Sequence, residues 1–271
     1  VTSTLRDLTT EDGRKAFGED AANYHAARPA YPDWVYERLQ AGCGLGPGTR
    51  AFEIGPGTGQ ATARLLTLGA NPLTAIEPDA RLATYLQDKL AAPALTVVNE
   101  TFEEAALACG SFDLGAAATS FHWLDQRTAL AKVAQTLRSG GWWAMWWNVF
   151  GDPARHDAFH DATQELLSQQ PCSPSHCAGM AHPFALDRDA RLADLHVIDA
   201  FGDIAVEIRT WSLVLTAAQA RALYATFSQF SVLEPAELTR ILDELARIAT
   251  ERFGGQVERN MCTALYTARR R

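Results

Sequence analysis

Five short apolar runs recur between about Arg50 and Asn148, and they constrain the fold more than any other feature of the chain. They are residues 51–54, 73–76, 95–98, 112–118 and 142–149. Each is 4–8 residues long, apolar on both faces, and bounded by Gly, Pro, Asn or Asp. Such runs read as buried strands of a parallel sheet covered by helices. Helix-like stretches lie between them: Leu65, Leu66 and Leu68 after the first run, and Leu82, Tyr85, Leu86, Lys89 and Leu90 after the second. Leu130, Val133, Ala134 and Leu137 precede the fifth run, and Gly140-Gly141 reads as the helix stop. Strand alternating with helix predicts a doubly wound α/β sheet.

The pattern changes after Phe150. Residues 151–196 are polar and hold five of the seven histidines. Alternation returns at Ile204, Val206 and Ile208, and residues 216–219 have capping-box spacing before a helix with Leu223, Tyr224 and Phe227. A second helix carries Leu238, Ile241, Leu242, Leu245 and Ile248, and residues 261–267 are the last strand candidate.

The formal charge of −8 argues against nucleic acid as a main partner, because phosphate binding draws on clustered Lys and Arg. No stretch reaches the roughly 20 apolar residues of a membrane span. Residues 1–20 contain no apolar segment of a secretory signal, and five scattered cysteines suit a reducing compartment. A soluble, cytoplasmic protein without membrane or nucleic-acid partners is expected.

The sequence Glu53-Ile54-Gly55-Pro56-Gly57-Thr58-Gly59-Gln60 follows the first strand and opens a helix. Glycines there permit a tight turn and close ligand approach, and the helix start offers unpaired N–H groups. Gln60 stands where a dinucleotide fingerprint has its third glycine, and Pro56 removes a donor that a pyrophosphate would use. Glu77 ends the second strand, 22 residues past Gly55, where an acidic side chain can accept from ribose hydroxyls. An adenosine-like ligand with one small anionic group fits better than NAD, and S-adenosylmethionine is such a ligand.

Residues 52–59 resemble the first motif of class I S-adenosylmethionine-dependent methyltransferases, and Ile76-Glu77-Pro78-Asp79 resembles the second. Thr101-Phe102-Glu103-Glu104 is similar to the adenine-edge segment, and residues 111–114 and 121–125 to the fourth strand and its exit. Leu137-Arg138-Ser139-Gly140-Gly141 resembles the turn before the fifth strand. Residues 24–32 resemble the N-terminal cap of the type 11-like branch that includes trans-aconitate methyltransferase-like enzymes.

The resemblance implies a Rossmann-like, seven-stranded sheet whose last strand is antiparallel, with a helical N-terminal cap and a helical insertion after the fifth strand. It implies a cap over residues 1–33, a cofactor-binding core over 34–150, a lid or acceptor region over 151–200, and completion of the sheet over 201–271. S-adenosylmethionine would be the cofactor, S-adenosylhomocysteine the product, and a small molecule the acceptor. Gly55, Gly57 and Gly59 would line the methionine part, with Glu53 beneath them near its amino group. Glu77 would take the ribose, Pro78 would pack on the adenine, and Thr101 and Phe102 would meet its edge. Thr119 and Ser120 would sit near the amino group and sulfonium, while Tyr24 and Arg28 would close over the cofactor. For Arg28, a structural ion pair is an equal reading.

Methyl transfer from a sulfonium needs alignment and exclusion of water rather than a metal or a protein nucleophile. An alcohol or protonated amine as acceptor would need a base, and His122 is the candidate; packing beside Trp123 is the plainer reading. Trp142, Trp143, Trp146 and Trp147 alternate faces of a strand and read mostly as core, with Trp123, Trp147 and Asn148 as candidate pocket residues. No metal site is expected. The alternatives are a nucleotide-dependent oxidoreductase, a ligand-binding protein without turnover, and a zinc-dependent hydrolase. The last would use His156 and His160, drawing a third ligand from Cys172, His176, Cys177 or His182.

Overall fold

The computed structural model describes residues 18, 20–171, 173, 175 and 181–271. Cys172, His176 and Cys177, and almost all of residues 1–20, lie outside the described residues. The chain runs α1 (Ala21–Ala27), α2 (Asp33–Cys43), β1 (Thr49–Ile54), α3 (Gln60–Thr67), β2 (Ala70–Ile76), α4 (Ala80–Leu90), β3 (Leu95–Val98) and β4 (Phe112–Ala118). It continues with α5 (Gln126–Thr136), β5 (Leu137–Phe150), α6 (Ala158–Leu167), α7 (Arg188–Val197), β6 (Phe201–Thr216), α8 (Ala217–Ala225), α9 (Pro235–Phe253) and β7 (Gln256–Arg270). These strands form one seven-stranded mixed sheet in the order β3-β2-β1-β4-β5-β7-β6. The doubly wound α/β architecture expected from the five apolar runs is therefore present, and β1 to β5 pair in parallel.

Contacts divide the described residues into two compact units that interleave along the chain. The first comprises residues 30–147, 185–208 and 264–271. Its core packs Val35 and Leu39 of α2 and Leu65 of α3 onto Ala51, Leu73, Leu114, Ala144 and Trp146 of the sheet. At roughly 1.5–3 kcal/mol for each large side chain removed from water, burial of this kind dominates folding. β1 lies between β2 and β4, which explains why every residue from Ala51 to Ile54 is buried, Glu53 included. β3 is only half-buried, since it forms an edge of the sheet.

Gly140-Gly141 is not the helix stop. α5 ends at Thr136 and β5 starts at once, so the glycines lie inside the strand. The register jumps there: Phe112 pairs with Leu137 but Leu114 with Trp142. A Cβ on Gly141 would come within 3.1 Å of Phe112 O and 3.2 Å of Asp113 O, so the bulge needs bare backbone.

The second unit comprises the described parts of residues 1–29, 148–184 and 209–263. Phe159, Leu223, Tyr224, Phe230, Ile241 and Leu245 form its core. The capping box at Thr216 is present: its hydroxyl accepts from Gln219 N and the Gln219 side chain accepts from Thr216 N. Inside this core, Asp157 accepts from Arg259 Nε at 2.9 Å and from Asn260 N at 2.9 Å. No helix among the described residues is long and apolar enough to cross a membrane.

Candidate functional site

In parallel α/β sheets, ligands gather at the carboxyl ends of the strands. In the first unit those ends bring together the glycine loop after β1, Glu77 after β2, and Thr119 and Ser120 after β4. Gly55 N–H donates to Ile76 O at 2.9 Å, and Gly59 N–H donates to Pro56 O at 3.0 Å. Ser120 Oγ donates to Ile54 O, so the exits of β1 and β4 are tied directly. That approach explains Gly55, where a Cβ would stand 2.7 Å from Ser120 Cβ. Gly57 differs: its φ is +58°, yet an added Cβ would meet nothing within 4 Å. It leaves an open cradle above the loop.

Glu77 is buried, and its two oxygens are held separately. Oε2 accepts from Gly57 N and Oε1 from Asp79 N, both at 3.0 Å. Burial pushes the carboxyl up to about 7, while those two N–H donors pull it back. Each oxygen retains a lone pair for a further donor. Asn99 Nδ2 donates to Glu77 O at 2.8 Å and to Pro78 O at 3.2 Å, which holds the half-exposed Pro78 in place.

Glu53 lies beneath the loop, fully buried. Thr62 Oγ1 donates to its Oε2 at 2.7 Å, whereas Oε1 has no hydrogen-bond partner among the described residues. Burial pushes this carboxyl up to about 7 too, with Thr62 lowering it and Glu77 raising it further. A buried carboxylate oxygen without a donor is costly unless a ligand supplies one.

Thr119 has a φ of +56°, a left-handed conformation rare for a β-branched residue. Two bonds hold it there: Thr119 N–H donates to Trp146 O at 2.8 Å, and Tyr31 Oη donates to Thr119 Oγ1 at 2.9 Å. Thr101 turns its hydroxyl to Glu104 Oε2 at 2.7 Å. The Phe102 ring is buried and stacks on Phe52, with centroids 6.1 Å apart.

His122 sits on a 3-10 turn beside Trp123, its ring 4.7 Å from the buried indole. Trp147 Nε1 donates to His122 Nδ1 at 3.1 Å, and Trp147 is itself buried. A neutral ring that accepts at Nδ1 carries its proton on Nε2.

The remaining expected residues belong to the second unit. The Arg28 guanidinium lies over the rings of Tyr24, Phe150 and Phe227 at 5.1, 4.9 and 5.0 Å, and its Nη2 donates to Thr226 O at 2.7 Å. Asn148 is buried, accepts from Thr263 Oγ1 at 2.7 Å and donates to Pro29 O at 3.4 Å.

Sequence reasoning missed Thr62, Asn99 and Tyr31. Tyr31 lies in the segment 24–32, whereas Thr62 and Asn99 carry no local signal beyond following the loop and β3. Two alternatives gain no support from the geometry. The loop amides of Gly55, Gly57 and Gly59 are spent on protein acceptors, which leaves little for a diphosphate. A zinc-dependent hydrolase at His156 and His160 would need a general base beside them, and Asp157, which lies between them in the chain, is the N-cap of α6 and is bound to Arg259.

Comparison with known proteins finds methyltransferases. Residues 52–145 match the family model described as a methyltransferase domain. An uncharacterised methyltransferase of Mycobacterium tuberculosis is 30% identical over 153 residues, 55% of this chain and 56% of its own length. The chain thus spans a little over half the length of the curated relatives it matches. A protein described as a type II methyltransferase from Anaeromyxobacter dehalogenans superposes with a TM-score of 0.63 at 18% identity, covering 89% of this chain and 97% of that one. Phosphoethanolamine N-methyltransferase 2 of Haemonchus contortus, solved with S-adenosylhomocysteine and phosphomonomethylethanolamine, gives 0.57 at 13% identity, covering 95% and 60%. Likenesses at these identities establish the fold.

Proposed function

We propose that this chain, which carries a methyltransferase domain over residues 52–145, binds S-adenosylmethionine and transfers its methyl group to a small-molecule acceptor. One observation carries the reading: two buried carboxylates flank a loop whose three glycine amides already donate within the protein. Such a site receives hydroxyl and ammonium donors and repels a diphosphate. The Oε1 of Glu53, without a hydrogen-bond partner among the described residues, and the open space over Gly57 suit the amino end of a methionine moiety. Glu77 suits the ribose hydroxyls.

When bound, the cofactor supplies a methyl group on a sulfonium, already activated for in-line displacement. The chain's own residues then orient and shield. Glu77 and Gly57 hold the loop against β2, Ser120 closes the gap to β1, and the strained Thr119 backbone points the exit of β4 at the ligand edge. His122 enters as a hydrogen-bond donor through Nε2 rather than as a base, since Trp147 occupies Nδ1. An acceptor that arrives deprotonated requires nothing more, because the sulfonium provides the driving force.

Calorimetric titration of the purified, chelator-treated protein with S-adenosylhomocysteine, and in parallel with NADH, tests the cofactor. Saturable binding of the first alone is expected. Binding of NADH alone overturns the reading. Turnover of S-adenosylmethionine against panels of small acids, phenols and amines then separates an enzyme from a binding protein.

A further inference from the structure

We propose that His156, His160 and Asp161 form a binding site for one divalent transition-metal ion of the zinc type. The three side chains each offer one ligand atom, and all of these atoms lie within 4.8 Å of one another. Two imidazole nitrogens with one carboxylate oxygen are a donor set for zinc, cobalt or nickel rather than for calcium or magnesium. Asp161 takes the place for which the sequence offered only Cys172, His176, Cys177 or His182.

The contacts within the cluster are close without being complete. The two imidazole rings lie 4.2 Å apart at 37°. His156 Nδ1 stands 3.9 Å from Asp161 Oδ1, too far for a hydrogen bond. Ligands at about 2.0–2.1 Å from a tetrahedral zinc lie roughly 3.3 Å from each other. The side chains of His156 and Asp161 are half exposed or more, so small rotations bring all three donors to that spacing. Water completes the coordination on the open side.

The backbone that presents these ligands is held independently of any ion. Asp157 Oδ1 accepts from His160 N at 2.7 Å and fixes the first turn of α6. Its other oxygen is bound by Arg259 Nε and Asn260 N on β7. Asn260 Nδ2 donates to Arg155 O at 2.9 Å, which pins the chain just ahead of His156. The ligands thus lie in a six-residue span anchored just ahead of His156 and at His160, the support that tuned metal sites require. No step of methyl transfer is assigned to this ion, and the inference stands apart from the cofactor reading.

The test uses the full chain stripped with chelator. ZnCl2 is titrated by calorimetry, and CoCl2 is followed by visible absorption. One equivalent of each ion is expected, with the ligand-field bands of a low-coordinate cobalt site. His156→Ala and His160→Ala should each weaken binding at least ~10-fold, as should Asp161→Asn, while circular dichroism stays unchanged. Cys172→Ser with Cys177→Ser should leave the affinity as it was. The site is refuted if the folded wild type binds no ion saturably. It is equally refuted if the His156→Ala/His160→Ala chain binds as wild type, or if only the cysteine variant loses the ion. Because metal binding itself is the readout, the result is independent of whether the chain transfers methyl groups.

Discussion

Glu77 Oε2 accepts the backbone N–H of Gly57 at 3.0 Å, so the acidic end of β2 and the glycine loop after β1 are one piece of structure. The carboxylate shapes the loop before it meets any ligand. Removing it therefore does two things: it deletes a ligand for ribose hydroxyls and releases the loop from its neighbour.

Glu77→Ala should weaken S-adenosylhomocysteine binding by about 1–3 kcal/mol through lost charge-assisted hydrogen bonds. Glu77→Gln keeps the shape and an acceptor and should recover part of that loss. Calorimetry on all three proteins checks this. Affinity equal to wild type in the alanine variant would remove Glu77 from the cofactor site.

The two loop glycines should separate stability from binding. Gly55→Ala places a methyl 2.7 Å from Ser120 Cβ at a φ of +62° and should lower the unfolding midpoint. Gly57→Ala meets no atom of the described residues within 4 Å, so its cost in stability should be only the roughly 1–2 kcal/mol of a left-handed alanine. Its main effect should be on cofactor affinity. Thermal unfolding and titration of both variants decide the matter, and a Gly57→Ala chain that binds normally would show that the cradle is unused.

Burial holds Glu53 and Glu77 near 7, above their ordinary 4.5. Between those values the folded chain binds more protons than the unfolded one, so these groups subtract stability as pH rises through that window. Glu53→Gln removes one of them. Relative to wild type, the variant should gain in urea midpoint between about pH 5 and about pH 8. A difference that is the same at both pH values counts against the buried, ionisable Glu53.

The Trp147 indole should set the His122 tautomer. Nitrogen-15 spectra of the imidazole should show the proton on Nε2 in the wild type and a mixture in Trp147→Phe. A proton on Nδ1 in the wild type would restore the base role and make proton removal part of the mechanism.

Asp157 and Arg259 are both almost wholly buried and pair at 2.9 Å. Asp157→Ala strands a guanidinium in the second core and should cost about 3–5 kcal/mol in denaturant unfolding. A loss under about 1 kcal/mol would mean that water reaches the pair.

The sequence by itself determined the local elements and the order of their chemistry. Apolar runs of strand length, the capping box at Thr216 and the placement of Glu53 and Glu77 around the glycine loop are all readable because their signals lie within a few residues or a fixed spacing. What depends on neighbours across the sheet was decided by tertiary structure alone. β3 is half-buried only because it ends the strand order, and Gly140-Gly141 became a bulge because the carbonyls of Phe112 and Asp113 lie beside it. Tyr31 reaches Thr119 across 88 residues, Thr62 donates to Glu53, and Trp147 donates to His122 Nδ1. Each of these is a directional hydrogen bond, or an approach of bare backbone, between different elements of the fold. Periodicity reports how much surface a residue buries; which atom it then faces is set by the packed fold.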